Sequence, residues 1–171
     1  MEQTKTLFFD MDGTLARFYE HRNTCLERMY EKGFFAGLKP YKLAAELNEF
    51  GDKYDCWDKI YIVSACVSTD YCFAEKLAWL RQHLPHLQED HIILCAVGSN
   101  KAETVELFCG KGGEKWLVDD YGANIRDWEQ HGKGFSAIKF INGINNKKGN
   151  YYKYKARTME RIAAISNILV D

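Results

Sequence analysis

Short apolar segments alternate with turn residues and helical patterns along this chain, and the alternation constrains the fold more than any other feature. The apolar segments are residues 7–9, 60–63, 92–96, 116–118 and 135–141. Phe73, Leu77, Leu80 and Leu84 are spaced as one face of a helix over 70–84, and shorter helices are predicted at 101–108 and 122–131. Strands that alternate with helices form parallel sheets covered on both faces. We therefore predict a Rossmann-like α/β fold, a three-layer sandwich with a parallel sheet.

The interval between the first two predicted strands is too long for a single crossover helix. Leu26, Met29 and Tyr30 have helical spacing, and Pro40 begins a second helix with Leu43, Leu47 and Phe50 on one stripe. We predict a small helical hairpin, a cap inserted at 16–58 over the end of the sheet. The C-terminal extension at 143–171 ends in a helix near 156–169, and the whole chain, 1–171, forms a single domain.

Composition limits the compartment and the partners. The 171 residues carry a net charge of −1, which favours neither nucleic acid nor an anionic membrane as a partner. The six cysteines show no CxxC pair, and no apolar stretch reaches the length of a membrane span. The sequence predicts a reduced, soluble, cytoplasmic protein and leaves its oligomeric state open, a homodimer included.

Two pairs of carboxylates follow predicted strands directly. Asp10 and Asp12 follow the first strand, and Asp119 and Asp120 follow the fourth. The carboxyl ends of parallel strands meet at the crevice where open α/β sheets bind ligands. Four carboxylates there would repel one another without a hard cation, and oxygen ligands favour Mg²⁺. The plainer interpretation is that each pair caps a loop or a helix, which explains one pair more readily than both.

Two further residues fall where phosphate chemistry needs them. Ser64 ends the second strand, so that its hydroxyl and the neighbouring backbone amide of Ala65 can face an anion. Lys101 follows the third strand and can balance the charge of a phosphate or a carboxylate. Taken singly, Ser64 is explained as a turn residue and Lys101 as a solvated surface charge. Their order along successive strands favours the functional interpretation.

These residues belong to four motifs that occur in a fixed order. The motifs are Phe8-Phe9-Asp10-Met11-Asp12-Gly13-Thr14-Leu15, then Ile62-Val63-Ser64, then Lys101, then Leu117-Val118-Asp119-Asp120. Together they resemble the motifs of the haloacid dehalogenase (HAD) superfamily of phosphotransferases, over residues 5 to 141. Within that superfamily, the chain is most similar to the 5'(3')-deoxyribonucleotidases. This closer resemblance depends on further segments, which are Leu15-Ala16, Phe18, Lys76-Leu77-Ala78-Trp79-Leu80 and His83-Leu84-Pro85. The resemblance implies a HAD-like fold whose first strand lies between the second and the fourth.

The resemblance also implies a role for each site residue. Asp10 would be the nucleophile that forms an aspartyl-phosphate, and Asp12 the general acid and then base. Asp10, the backbone carbonyl of Asp12 and Asp120 would hold Mg²⁺, with Asp119 as a further ligand or beside the ligands. Ser64 and Lys101 would hold the phosphoryl oxygens.

The substrate is less constrained than the chemistry. Phe18 follows the first motif and is the strongest candidate for a substrate contact, although packing between cap and sheet explains an aromatic residue there equally. The nucleotidases usually carry Thr where this chain has Ser64, and an Arg where it has Ser99. Ser99 cannot make an arginine–phosphate contact.

Several functions therefore compete. A magnesium-dependent phosphatase of deoxynucleoside monophosphates leads, and a phosphatase of a sugar phosphate or another small metabolite is the first alternative. A protein that has lost catalysis and only binds a ligand or partner is the second. A receiver-type signalling module is disfavoured. Such a module carries its acidic pair on the first strand and its phosphorylated Asp after the third, whereas this chain has Asp10 and Asp12 at the first strand and Asp119-Asp120 at the fourth.

Overall fold

A single parallel sheet organises the chain in the computed structural model, which describes residues 4–19, 26–145 and 153–168. The strands are β1 (Lys5–Phe9), β2 (Ile60–Cys66), β3 (Ile92–Ala96), β4 (Glu114–Asp119), β5 (Phe135–Phe140) and β6 (Lys155–Ala156). Their order across the sheet is β3-β2-β1-β4-β5-β6, and every neighbouring pair is parallel. The five predicted strands are confirmed, and β1 lies between β2 and β4 as expected.

Helices cover both faces of this sheet. They are α1 (Lys42–Tyr54), α2 (Cys72–His83), α3 (Lys101–Cys109), α4 (Gly122–Gln130) and α5 (Met159–Ser166). Short 3-10 helices occur at Leu26–Tyr30, Trp57–Lys59 and Glu89–His91. Within the described ranges, no helix has both the length and the apolar character needed to cross a membrane.

Side chains alternate between two cores, as the pleat of a strand requires. In β1, Leu7 and Phe9 pack with residues of α1, α2 and α5, whereas Phe8 packs with residues of α3 and α4. All three side chains are fully buried. The result is the predicted three-layer sandwich, with apolar side chains filling both interfaces between helix and sheet.

The predicted cap differs from the structure in its second half. Helix α1 buries Leu43 and Leu47 in the same core as β1, so it covers the sheet rather than the site. The chain returns to the sheet where the backbone N–H of Tyr41 donates to the carbonyl of Leu15 at 2.7 Å. The 3-10 helix at Leu26–Tyr30 buries no residue, and it does not pack along α1 as the second helix of a hairpin would. We therefore narrow the proposed cap to the chain before Pro40.

The C-terminal helix is shorter than predicted. Its expected first residue, Ala156, belongs instead to β6, which extends the sheet beyond β5. Helix α5 begins after Thr158, whose side chain accepts a hydrogen bond from the backbone N–H of Arg161. A strand of two residues has no period that a sequence pattern could show. Residue 169, the predicted end of the helix, lies outside the described residues.

Helix α2 is rotated relative to the predicted apolar face. Phe73 is exposed, and the buried stripe instead contains Cys72, Lys76, Trp79 and Leu80. The apolar pattern failed here because a lysine occupies the centre of the buried stripe. The burial of that lysine is explained by its contacts at the carboxyl edge of the sheet.

Candidate active site

The loop after β1 brings two carboxylates to the carboxyl edge of the sheet. The backbone N–H of Asp10 still pairs with the carbonyl of Val118 in β4, at 2.9 Å. The chain then turns tightly, with the N–H groups of Leu15 and Ala16 both donating to the carbonyl of Met11. Asp10 is buried, and the Asp12 side chain retains 21% exposure. Asp10 therefore lies directly after the strand and is still hydrogen-bonded to β4, and Asp12 lies at the open side of the same loop.

Lys101 links the two acidic motifs. It is the first residue of α3, and its ammonium donates to Asp10 Oδ1 at 2.6 Å and to Asp119 Oδ2 at 2.8 Å. Burial alone would lower the pKa of Lys101, but the two carboxylates raise it above its usual value. Lys101 thus stays charged and orders Asp10 next to Asp119.

Asp10, Asp119 and Asp120 form a buried acidic cluster. One carboxylate oxygen from each lies within 4.8 Å of the others, and no other group of three potential metal ligands is found in the part of the chain that the structure describes. Burial raises the pKa of Asp10 to about 7 against the opposing effect of Lys101. Burial and the neighbouring Asp119 and Asp10 also raise the pKa of Asp120.

The donor set of this cluster fits Mg²⁺. Buried carboxylates with raised pKa values are groups whose charged form lacks compensation, and a divalent cation supplies it. Asp119 already accepts hydrogen bonds from Lys101, from Asn124 and from the backbone N–H of Tyr121. Asp10 and Asp120 carry fewer such bonds among the described residues, so they are the better candidates for direct ligands.

Gly13 makes room for the Asp120 carboxylate. A Cβ atom at position 13 would lie 2.5 Å from Asp120 Oδ2, and the backbone there has a φ of +86°. We expect Gly13→Ala to lower the free energy of unfolding by about 2 kcal/mol and to weaken Mg²⁺ binding, because Asp120 must move. Urea denaturation and calorimetric titration with Mg²⁺ measure both effects.

Gly122→Ala is the matched control for this variant. A Cβ atom at position 122 meets nothing within 4 Å, and its φ is not positive. An equal loss of stability and of Mg²⁺ affinity in both variants would contradict the proposed packing of Gly13 against Asp120.

Lys76 is a site residue to which the sequence pattern assigned no role. Its side chain is fully buried, and its ammonium donates to Asp12 Oδ2, to Ser64 Oγ at 3.1 Å and to the carbonyl of Ala65 at 2.5 Å. Burial would lower the pKa of Lys76, but the Asp12 carboxylate raises it overall. Lys76 therefore joins the loop after β1 to the end of β2. A lysine in an otherwise apolar helical stripe is the signal that could have identified it.

Ser64 and Ala65 lie at the end of β2, as expected. Ser64 is fully buried and contacts Lys76, and Ala65 faces the pocket next to Asp12. Asp12 Oδ1, also buried, has no hydrogen-bond partner among the described residues. A buried oxygen without a partner next to an open pocket is suited to meeting a ligand.

The predicted site residues converge on one pocket of about 420 Å³. Its lining includes Asp10, Asp12, Phe18, Ala65, Lys101 and Asp120. Ser64 and Asp119 lie behind this lining, where they contact Lys76 and Lys101. Ser99 also lines the pocket. The volume is in the range of small-ligand sites.

Aromatic residues form one wall of the pocket. Phe18 is 7% exposed and packs edge-on against Tyr19 and Phe34 and face to face with Phe35. Phe18 and Phe35 both line the pocket. Phe18 thus packs in the aromatic cluster between cap and sheet and also presents part of its surface to the pocket. Its position is compatible both with a packing role and with a substrate contact.

Asn142 supports the acidic cluster from the segment after β5. Its side-chain amide donates to the carbonyl of Gly13 at 3.1 Å and to Asp120 Oδ2 at 3.0 Å. Asn145 in turn donates to the carbonyl of Asp120 at 3.0 Å. No spacing in the sequence indicates these contacts, because polar asparagines are expected in any surface link.

The family comparison gives one match over most of the chain. Residues 19–153 match the family described as "5' nucleotidase, deoxy (Pyrimidine), cytosolic type C protein". A curated protein of Staphylococcus aureus (strain MSSA476), named "Putative 5'(3')-deoxyribonucleotidase", is 31% identical over 138 residues, which cover 78% of this chain and 67% of that protein. A protein of the same name from Staphylococcus epidermidis (strain RP62A) is 30% identical over 77 residues, or 44% of this chain and 41% of that protein.

Solved structures share the fold at low sequence identity. The "putative HAD-hydrolase YfnB from Bacillus subtilis bound to magnesium" superposes with a TM-score of 0.53 at 13% identity and covers 98% of this chain and 100% of that one. A chain of the Pnkp1/Rnl/Hen1 complex superposes with a TM-score of 0.53 at 12% identity, over 81% of this chain and 46% of that one. With the matched residues 19–153, these findings show that the chain belongs to the family of cytosolic type C 5' nucleotidases, deoxy (Pyrimidine), and that it has the fold of a HAD-hydrolase.

Proposed function

We propose that this protein is a magnesium-dependent phosphatase that releases phosphate from deoxynucleoside monophosphates through an aspartyl-phosphate on Asp10. Membership of the family makes the chain a phosphoric monoester hydrolase. The proposal adds the metal, the intermediate and the substrate. The observation that carries it is the buried Asp10, held by Lys101 at 2.6 Å within a pocket that Asp12 shares.

In the first half of the proposed reaction, a carboxylate oxygen of Asp10 attacks phosphorus and the bond from phosphorus to the ester oxygen breaks. Asp12 gives its proton to the departing alkoxide, and Lys76 neighbours the carboxylate that remains. Lys101 offsets charge on the phosphoryl oxygens next to Asp10. Bound Mg²⁺ would supply further stabilisation of that charge from the cluster of Asp10 and Asp120.

In the second half, Asp12 takes a proton from water. The resulting hydroxide attacks phosphorus, the bond between phosphorus and Asp10 breaks, and inorganic phosphate leaves. Asp10 returns to a carboxylate paired with Lys101. The same residue thus acts as acid and then as base, which requires that Asp12 stay next to the pocket throughout. The contacts of Lys76 with Asp12 and Ala65 support that requirement.

The substrate part of the proposal rests on the aromatic wall. Phe18 and Phe35 offer ring faces or edges to a base or sugar in the leaving group. The names of the Staphylococcus relatives point in the same direction. The cytoplasm is kept as the proposed compartment, since the cysteines that the structure describes are all free thiols.

A second candidate substrate class is a sugar phosphate or another small metabolite. Ser99 favours it, because this residue lines the pocket where a nucleotidase arginine is expected and supplies no cation. The chemistry at Asp10 and Asp12 would be the same. Only the leaving group would differ.

A phosphate-release panel distinguishes these candidates. Deoxynucleoside monophosphates, ribonucleoside monophosphates and sugar phosphates are compared by kcat/KM, each with Mg²⁺ and with EDTA. We expect release that requires Mg²⁺ and is fastest for a deoxynucleotide. Faster release from a sugar phosphate would favour the second candidate, and no release from folded protein would favour a binding role.

Replacement of Lys76 tests the position of Asp12. We expect Lys76→Met to lower kcat about 100-fold, because the Lys76 ammonium that orients the Asp12 carboxyl group is removed. We expect KM to change much less. Steady-state kinetics on the best substrate of the panel gives both constants. An unchanged kcat in a folded Lys76→Met protein would contradict the proposed role of this contact.

A further inference from the structure

We infer that Glu75 is a positioning residue that fixes the aromatic wall of the pocket and so sets the affinity for substrates with a large leaving group. The inference rests on the proposed phosphatase function. Glu75 precedes Lys76 on α2 but faces a different partner, the segment of residues 33–36 in the proposed cap. The two neighbouring residues thus attach α2 to the two sides of the pocket.

The Glu75 carboxylate accepts hydrogen bonds from three backbone N–H groups of that segment. Gly33 donates to Oε1 at 2.5 Å, and Phe35 and Ala36 donate to Oε2 at 3.1 and 3.5 Å. The donors lie 39 to 42 residues away from Glu75 along the chain. Hydrogen bonds to a charged acceptor are about twice as strong as those between neutral groups. Glu75 therefore attaches the turn of residues 33–36 to α2 through three hydrogen bonds to one charged acceptor.

Phe35 carries this attachment into the pocket. Its N–H is one of the three donors, and its ring, 2% exposed, lines the pocket and packs against Phe18 with centroids 6.3 Å apart. The Lys76 ammonium lies 4.6 Å from the centroid of the same ring. A shift of the turn would therefore move the aromatic wall relative to Asp12.

Two other residues in or next to α2 also attach the cap, at points farther from the site than the Glu75 contacts. Trp79 Nε1 donates to the carbonyl of Leu38 at 2.7 Å, and the Tyr71 hydroxyl donates to the carbonyl of Tyr30. These contacts keep the cap attached when Glu75 is replaced. The loss of Glu75 is therefore expected to displace the turn at 33–36 rather than to release the whole cap.

The test compares Glu75→Ala with Glu75→Gln and Glu89→Ala. The glutamine keeps an oxygen that can accept N–H groups, and Glu89 is an exposed carboxylate paired with Arg81 of α2 away from the pocket. Each protein is assayed with a deoxynucleoside monophosphate and with acetyl phosphate, whose leaving group is only an acetate. For Glu75→Ala we expect KM for the nucleotide to rise about tenfold with kcat changed less than about threefold.

Three outcomes support the inference together: a smaller rise in KM for acetyl phosphate, partial rescue by Glu75→Gln, and wild-type kinetics in Glu89→Ala. Equal rises in KM for both substrates, or a loss of kcat alone, would overturn it. Hydrogen exchange gives a readout that does not depend on activity, since the N–H groups of residues 33, 35 and 36 should exchange faster in Glu75→Ala. If wild-type protein cleaves neither substrate, the proposed function fails, and unchanged exchange then also overturns the role of Glu75.

Discussion

Asp10→Asn is expected to lower kcat for phosphate release by about 10⁴-fold or more, the largest effect of any single substitution in this chain. The amide retains the shape of the carboxylate but is not a nucleophile, so the covalent step has no attacking oxygen. Stopped assays with the best substrate of the panel, at saturating Mg²⁺, measure the residual rate.

Asp90→Asn serves as the control, because Asp90 is an exposed carboxylate in the 3-10 helix before β3 and does not line the pocket. We expect it to retain wild-type kcat. A folded Asp10→Asn protein with more than about one tenth of wild-type kcat would contradict nucleophilic catalysis by Asp10.

The second large effect is a loss of stability in Lys101→Met. Lys101 is 7% exposed and neutralises two buried carboxylates, Asp10 and Asp119. Removing one partner of a buried ion pair costs about 3 kcal/mol or more, because the remaining charge is left without compensation. We therefore expect the free energy of unfolding in EDTA to fall by about that amount, as measured by urea denaturation.

Mg²⁺ is expected to restore part of this stability, since a cation next to Asp10 offsets the missing ammonium. Lys42→Met is the control, because the Lys42 side chain is 86% exposed in its pair with Glu46. We expect that variant to stay within about 0.5 kcal/mol of wild type. Equal stability of Lys101→Met and wild type would show that Lys101 does not neutralise the cluster.

The sheet and the convergence of its acidic motifs could be predicted because each depends on local signals. The strands leading to Asp10 and Asp119 are apolar runs, and parallel strands end at one edge. This is sufficient to bring two carboxylate pairs together.

Other features depend on contacts between distant segments. The buried Lys76 interrupts the apolar stripe of α2, so the apolar pattern does not identify the buried face of that helix. Asn142 contacts Asp120 from a segment whose sequence has no apolar periodicity. The strand β6 consists of Lys155–Ala156, too short to be distinguished from the start of a helix. In each case the partner, rather than the local sequence, decides the structure.

The covalent intermediate tests the central proposal most directly. Wild-type protein is mixed with substrate and Mg²⁺, quenched in acid, reduced with borohydride and examined by peptide mass spectrometry. A phosphorylated aspartate is converted by reduction to homoserine, so the modified residue is identified by its position. We predict modification at Asp10, only with Mg²⁺ and substrate together. Modification at another residue would contradict an aspartyl-phosphate mechanism at Asp10. The absence of any modification in protein that hydrolyses the substrate and is quenched at steady state would contradict it as well.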